Sequence, residues 1–281
     1  MSPPEGLFDV HVHSGPDIQP RWGTDADVAA AYEAAGGRGV VLKNHYESTV
    51  GRALAAGTGR RLAVYGGIVL NAHTGGFNPA AAAAALLAGA RVVWMPTQDA
   101  HTQHGTGLPA LRTRCPALPA VGYAAPPVDP TTADALRTIL RLVAEHDAVL
   151  ATGHLGPSEC AWLVDEAHTA GVRRVLVTHA GWVVPRLDTV LARRLASRGA
   201  LLEITAHQLT GSHPMRAEDV ARFARAVGLD HVVLSSDAGQ QDAPPPPEAL
   251  GRLVGALART GLPEAALLRS ASTLPRDLVT P

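Results

Sequence analysis

The sequence contains only two cysteines, Cys115 and Cys160, which lie far apart and outside any Cys-x-x-Cys pattern. Both are expected to be free thiols, which argues against a disulfide-stabilised fold. Nor does any apolar stretch reach the roughly 18 residues that a membrane-spanning helix requires. The N-terminus lacks a basic segment followed by an apolar one. We therefore expect a cytoplasmic protein that does not enter a membrane.

An excess of charge of one sign is also absent. The chain has 24 basic and 25 acidic residues, a net charge of -1, and its basic residues cluster only in pairs such as Arg60-Arg61. Nothing in this pattern indicates a nucleic acid or an anionic membrane as partner. A small-molecule substrate is expected, with a homodimer as the possible assembly.

Strand-like apolar runs recur along the chain, and most are separated by segments with helical apolar spacing, such as 131–146 and 185–198. This alternation predicts an α/β fold with a parallel sheet, and eight repeats predict a closed (β/α)8 TIM barrel. A doubly wound open sheet is the alternative, but its Gly-x-Gly-x-x-Gly turn after the first strand is missing. The predicted strands span 7–13, 39–45, 62–70, 91–96, 148–154, 173–179, 200–206 and 231–237.

The 281 residues, of which 46% are hydrophobic, are sufficient for one large core. We therefore expect residues 1–281 to form a single TIM-barrel domain. One irregular stretch, about 97–130, is rich in Thr, Pro, Gly and His. Irregular segments of this length in compact domains are often lids or binding loops, so it is predicted to be a long active-site loop.

Several of the predicted strands end in residues that can bind a metal. His11 and His13 end the first run, and period-2 geometry places both imidazoles on one side of the strand. His154, His179 and Asp237 end the fifth, sixth and eighth runs. Since active sites of TIM barrels lie at the carboxyl ends of the strands, these side chains are expected to converge on a metal site.

In this arrangement the chain resembles the amidohydrolase superfamily, as an uncharacterised branch. The resemblance covers nearly the whole length: His-x-His after strand one, a histidine after strands five and six, and an aspartate after strand eight. It implies that His11, His13 and Asp237 hold one metal and that His154 and His179 hold a second. A metal-bound hydroxide would attack the substrate, and Asp237 would shuttle the proton. Zinc suits these ligands, with manganese, iron or cobalt as alternatives.

The chain departs from the family pattern after strand four. Binuclear members usually bridge their metals there with a carboxylated lysine or a glutamate, but this strand ends Trp94-Met95-Pro96-Thr97. Lys43, at the end of strand two, is the best substitute, because a lysine in a buried strand is costly unless it is paired or modified. Three interpretations remain open: a carboxylated Lys43 that bridges two metals, an ammonium that stabilises an oxyanion, and a side chain that points out of the barrel.

The resulting prediction is a metal-dependent hydrolase of a small-molecule amide, lactam or lactone. Without a bridge, a mononuclear decarboxylase or deaminase of the same fold is the alternative. The decarboxylases typically carry a Glu two residues before the first histidine, where this chain has Asp9. The third hypothesis is a barrel that binds metal but has no catalytic activity.

Substrate contacts are predicted from the loops that follow the strands. Arg21 and Trp22 are placed to meet a carboxylate and an apolar ring, although Arg21 could instead pair with Asp25 or Asp27 at the surface. Glu203, within strand seven, could orient a metal-bound histidine. His45 is a candidate ligand or substrate contact. The other predicted substrate contacts are His73 and His101.

Overall fold

The computed structural model describes residues 4–108 and 110–281. Residues 1–3, at the start of the predicted domain, and residue 109, within the predicted loop at 97–130, lie outside the described residues. Every predicted strand run contains an observed strand, and the third contains two. The strands are β1 (Phe8–His13), β2 (Gly39–Lys43), β3 (Ala63–Tyr65), β4 (Gly67–Val69), β5 (Val92–Trp94), β6 (Val149–Ala151), β7 (Arg174–Val177), β8 (Leu201–Thr205) and β9 (Val232–Ser235).

Helices follow most of the strands and pack outside them. The two predicted helices at 131–146 and 185–198 are observed as α4 and α6. The helices are α1 (Asp25–Ala34), α2 (Val50–Gly57), α3 (Pro79–Leu87), α4 (Ala133–Glu145), α5 (Pro157–Thr169), α6 (Thr189–Ser197), α7 (His207–Thr210), α8 (Ala217–Val227), α9 (Pro246–Arg259), α10 (Glu264–Ala271) and α11 (Thr273–Val279). Among the described residues, no helix is long and apolar enough to cross a membrane.

Helix α4 shows why the sequence pattern identifies these elements. Its buried residues are Leu136, Ile139, Leu140 and Val143, which recur at the three- and four-residue spacing of one helix face. That face belongs to the large apolar layer between the strands and the helices. Burial of this face, rather than helix propensity alone, stabilises the helix.

All strand pairs are parallel, in a three-stranded sheet β1-β2-β3 and a six-stranded sheet β4 to β9. The sheets divide at Gly66, where a Cβ atom would lie only 2.5 Å from the Thr49 carbonyl oxygen. Only glycine fits this close approach, and the third predicted strand is interrupted at this residue: β3 pairs with β2, and β4 pairs with β5.

The other edges meet where β1 passes the end of β9. The His13 amide donates to the Ala238 carbonyl (2.8 Å), and the Asp237 amide donates to the His11 carbonyl (2.9 Å). The strands surround an apolar interior that includes Phe8, Trp94 and Leu176. The predicted TIM-barrel architecture is confirmed, with the difference that its wall consists of two sheets rather than one continuous ladder.

Candidate metal and active site

A cavity of about 180 Å³ opens at the carboxyl ends of the strands. Lys43 is the last residue of β2, and Asp237 follows β9 by two positions. His154 follows β6 by three positions, and His179 follows β7 by two. These side chains and His13 line the cavity, and His11 lies beneath them in contact with Asp237. The structure therefore brings together all the residues that the sequence analysis named as metal ligands.

His11, His13 and Asp237 form the most compact part of this cluster. Asp237 Oδ1 lies 3.1 Å from His11 Nε2 and 3.2 Å from His13 Nε2. One ligand atom from each of the three residues lies within 4.8 Å of the others, a spacing that a single cation could bridge. Burial raises the pKa of Asp237, but contact with His11 and His13 outweighs burial and holds that pKa well below its usual range.

His154 and His179 form a second pair, with ring centroids 4.9 Å apart. His154 Nδ1 lies 2.8 Å from Gln103 Oε1, and His179 Nδ1 lies 2.6 Å from the Val184 carbonyl oxygen. Since both oxygens can only accept, each Nδ1 must carry the proton. The Nε2 atom of each ring is then left with a free lone pair, as a metal ligand requires.

Glu203 orients His11 by offering an acceptor oxygen to its Nδ1 atom. Its carboxylate is fully buried, and Oε1 lies 3.1 Å from His11 Nδ1. It also accepts hydrogen bonds from the His179 amide (2.9 Å) and the Ser235 hydroxyl (2.7 Å). Burial lowers the pKa of His11, but Asp237 and Glu203 outweigh that effect and raise it to about 9. The Glu203 carboxylate thus holds both the ring of His11 and the backbone of His179.

Lys43 points into the barrel, so the interpretation that placed it outside is wrong. It is 1% exposed, and its Nζ lies 2.9 Å from His11 Nε2 and 5.5 Å from the centre of the Trp94 ring. Burial lowers the pKa of Lys43 to about 8, although Asp237 and Glu203 act in the opposite direction. A substantial fraction of the amine is therefore neutral near pH 8.

Arg21 lines the cavity, but the surface ion pair suggested as its alternative is wrong. Its Nη2 lies 2.6 Å from Asp17 Oδ2 and 3.2 Å from His13 Nδ1. Asp25 instead pairs with Arg52, and Asp27 caps helix α1. The guanidinium is buried and already bound to a carboxylate, and so it is not a free receptor for a substrate carboxylate.

The other predicted substrate contacts divide into two groups. His45 lines the cavity, stacks on His13 at 4.7 Å and lies 2.8 Å from Thr97 Oγ1. The remaining three lie away from the cavity lining. Trp22 packs on the core between α1 and β2, His73 contacts the ring of Tyr46, and His101 lies 3.6 Å from Glu159. Each of these three residues follows a strand at the carboxyl end of the barrel, as predicted, but its side chain does not point into the cavity.

Residues 6–203 match the model of a family described as a family of unknown function (DUF6282). The chain belongs to this family. A comparison with curated proteins gives no match.

Solved structures with similar folds include an organophosphorus hydrolase from Deinococcus radiodurans, 14% identical, with a TM-score of 0.64 over 98% of this chain and 93% of that one. A lactonase from Listeria monocytogenes is 12% identical, with a TM-score of 0.63 over 99% of this chain and 95% of that one. An amidohydrolase from Pseudomonas aeruginosa is 11% identical, with a TM-score of 0.56 over 97% of each chain. The chain therefore has the fold of amidohydrolase-type proteins, as the sequence resemblance predicted.

In this member of the DUF6282 family, the cavity also contains residues that the sequence analysis did not name. Gln98, Gln103, Leu108 and Leu111 reach the cavity from the segment between β5 and α4. Trp182, after β7, adds an aromatic face. No spacing in the sequence identifies them, because their positions depend on the path of an irregular segment rather than on a strand.

Asp9 occupies the position at which the decarboxylases typically carry a Glu. Here its main contacts are hydrogen bonds to the backbone. Its carboxylate accepts hydrogen bonds from the His11 and Ser236 amides and from the Tyr32 hydroxyl. Burial raises the pKa of Asp9 to about 6, despite these hydrogen bonds. Asp9 joins β1 to the segment after β9 and does not line the cavity.

Proposed function

We propose that the protein is a metal-dependent hydrolase of a small-molecule amide, lactam or lactone. The observation that supports this proposal most is the orientation of three histidines at the carboxyl ends of the strands. Each has its Nδ1 atom beside an oxygen acceptor, so Nε2 is the ring nitrogen that a metal ion can take, and on His11 the metal would replace a proton. The histidines are His11, His154 and His179.

The residues present fit a divalent metal centre. We assign His11, His13 and Asp237 to one cation and His154 and His179 to a second, with zinc the expected metal and manganese, iron or cobalt as alternatives. When bound, such a cation lowers the pKa of a coordinated water to about 7 and polarises a carbonyl group. The burial of these ligands away from water strengthens the electrostatic effects.

Asp237 has the second role of moving a proton. Its carboxylate lies in the cavity wall between the two histidines of β1, and so it can accept a proton from the attacking water. It can then return the proton to the leaving nitrogen or oxygen. Because its pKa is held well below the usual range, the carboxylate is ionised at neutral pH.

Lys43 is proposed to be carboxylated, so that its two oxygens bridge the two sites. Its neutral amine would add to carbon dioxide, forming an N–C bond and releasing one proton. The short distance to His11 and the burial of the side chain support this role. An unmodified ammonium that stabilises an oxyanion is the alternative.

The size of the cavity and its cover support a small substrate. The volume of about 180 Å³ is below that of most sites for drug-sized ligands. Leu108 and Leu111, from the segment between β5 and α4, line it together with Trp182. These apolar groups would exclude water from the reacting atoms.

One observation favours a mononuclear decarboxylase or deaminase as the second candidate. Within the described ranges, the compact group of three ligand residues contains His11, His13 and Asp237 but neither histidine of the other pair. Metal stoichiometry separates the candidates: two ions per chain support the binuclear hydrolase, and one ion supports the mononuclear enzyme.

The test compares wild type with Asp237→Asn after growth in zinc. We expect wild type to bind zinc and to hydrolyse a member of an amide, lactam and lactone panel. Asp237→Asn should retain zinc on the histidines and lose turnover, because an amide cannot accept the proton as a carboxylate does. Asp134→Asn, the same change at a side chain that is 99% exposed, is the control and should behave as wild type.

Two outcomes would contradict the proposal. Full activity in Asp237→Asn would remove the proton-transfer role. Zinc binding without turnover of any compound, in wild type and variant alike, would support a metal-binding barrel without catalysis.

A further inference from the structure

Gln103 lies in the segment between β5 and α4, in a short helical turn formed by residues 101–103. The side chain lines the cavity and is only 4% exposed. The turn is held against the rest of the segment at Tyr123, whose backbone donates to the Asp99 carbonyl (2.7 Å) and accepts from the His101 amide (2.9 Å). Gln103 is therefore a fixed part of the cavity wall.

This turn holds His154 at two points. The Thr102 hydroxyl donates to the backbone carbonyl of His154. The neighbouring Gln103 accepts from His154 Nδ1 through Oε1, at 2.8 Å. Since two consecutive residues fix both the backbone and the ring, the position of His154 depends on this turn as well as on its own strand.

The other end of the Gln103 amide has no such partner. Its Nε2 atom is buried and, among the described residues, makes no hydrogen bond. Buried polar groups in proteins are nearly always paired, because an unpaired one forfeits its bonds to water. If the amide turned by 180°, Nε2 would donate to His154 Nδ1, and the proton would then sit on His154 Nε2, which could no longer bind the proposed metal. An unpaired donor in a cavity wall indicates that a ligand supplies the acceptor.

We propose that Gln103 positions His154 with its carbonyl oxygen and binds an acceptor oxygen of the substrate with its amide nitrogen. This inference rests on the proposed function, because it takes His154 as a metal ligand. The chemical class of the bound group is a carbonyl or hydroxyl oxygen beside the reacting centre. Gln103 thereby makes the ordering of a metal ligand and the recognition of the substrate depend on one side chain.

Three variants separate the two roles. Gln103→Glu keeps an acceptor for His154 Nδ1 but replaces the N–H donor with a second acceptor. Gln103→Met removes both. Gln98→Glu brings the same charge into the same cavity while it can still accept from the Leu111 amide, and so it controls for charge alone.

The measurements are zinc content per chain and the binding of acetohydroxamate, a small zinc-binding probe with a carbonyl oxygen, by titration calorimetry on the zinc-loaded protein. We expect Gln103→Glu to keep the wild-type zinc content and to bind the probe at least tenfold more weakly. Gln103→Met should lose zinc as well as probe affinity. Gln98→Glu should change probe affinity less than threefold.

Equal probe affinity in Gln103→Glu and wild type would overturn the substrate contact, and equal weakening in Gln103→Glu and Gln98→Glu would assign the effect to charge. Normal zinc content in Gln103→Met would overturn the positioning role. If wild type binds zinc and the probe but hydrolyses no compound of the panel, the hydrolase proposal fails. The inference about Gln103 is then still decided by the zinc content and probe affinity of the variants. A wild type without zinc would overturn both.

Discussion

Glu203 offers the sharpest test of how the candidate metal site is held together. Its buried carboxylate accepts from three donors: His11 Nδ1, the His179 backbone amide and the Ser235 hydroxyl. The substitution Glu203→Gln keeps the shape of the side chain but replaces one accepting oxygen with an NH₂ group. We expect this change to weaken zinc binding without unfolding the protein.

The size of the loss in zinc affinity depends on which hydrogen-bond donor the new NH₂ group faces. If it faced His179, two N–H donors would oppose each other, because a backbone amide cannot reverse. If it faces Ser235, the hydroxyl can turn and accept, so this orientation is preferred. His11 then keeps only the longer contact, 3.3 Å, to the other oxygen position. Losing a hydrogen bond to a charged group costs about 1.5–3 kcal/mol, which corresponds to zinc binding weakened by about 10- to 100-fold.

The assay is a competition titration of zinc against a chelating dye, with urea unfolding of the metal-free protein measured in parallel. Ser235→Ala is the matched control, because it removes one donor to Glu203 and leaves His11 and His179 bound; its zinc affinity should change less than fivefold. Unchanged zinc affinity in Glu203→Gln, with the fold intact, would refute the claim that Glu203 holds His11 for metal binding.

Two further predictions concern Lys43, in the same site, and Asp147, at the opposite end of the barrel. Lys43→Ala should lower zinc content from two ions per chain toward one or none, measured by metal analysis after growth with dissolved carbon dioxide; an unchanged content would exclude a bridging role. Asp147→Asn tests the ion pairs at the opposite end of the barrel, where hydrogen bonding to Arg174 helps to lower the pKa of Asp147 to about 2, from the usual 3.8. Because this folded-state pKa is depressed, the stabilisation is complete above about pH 4 and is lost as pH falls to about 2. Since Asp147 is 26% exposed, solvent screening reduces it to about 1 kcal/mol, measured by urea unfolding. An Asp147→Asn deficit at pH 7 that persists below pH 2 would contradict this account.

The order of strands and helices was predictable because it depends on apolar periodicity, which is local in the sequence. Each predicted strand run contains an observed strand, and helix α4 begins and ends within two residues of the predicted range. The division at Gly66 was not predictable in this way. It depends on a change of pairing partner within one run, from β2 to β5, and pairing partners are set by the tertiary fold rather than by local sequence.

The same distinction applies to the site. The expected metal ligands meet because each occupies a fixed position at the end of a strand. Side chains on irregular segments were less predictable: Trp22 packs against the core while partly buried, and Arg21 pairs with Asp17 rather than with Asp25 or Asp27. Gln103 carries no sequence signal at all, because its role depends on how the segment between β5 and α4 folds back onto His154.

Two of the proposed ligands also have unusual backbone conformations. His179 has φ of 30° and Asp237 has φ of 49°, in the left-handed region that non-glycine residues seldom occupy, at a cost of about 1–2 kcal/mol each. The His179 amide is held by Glu203 and the Asp237 amide by the His11 carbonyl, so the bent conformations are fixed by groups of the site itself. Each sharp turn comes two residues after a strand ends, at the position of a side chain that lines the cavity. Left-handed conformations also occur at Asp147 and Arg186, which do not line the cavity, so strain alone does not mark a functional residue. Under the proposed function, the strained turns at these two strand ends present Asp237 to one cation and His179 to the other.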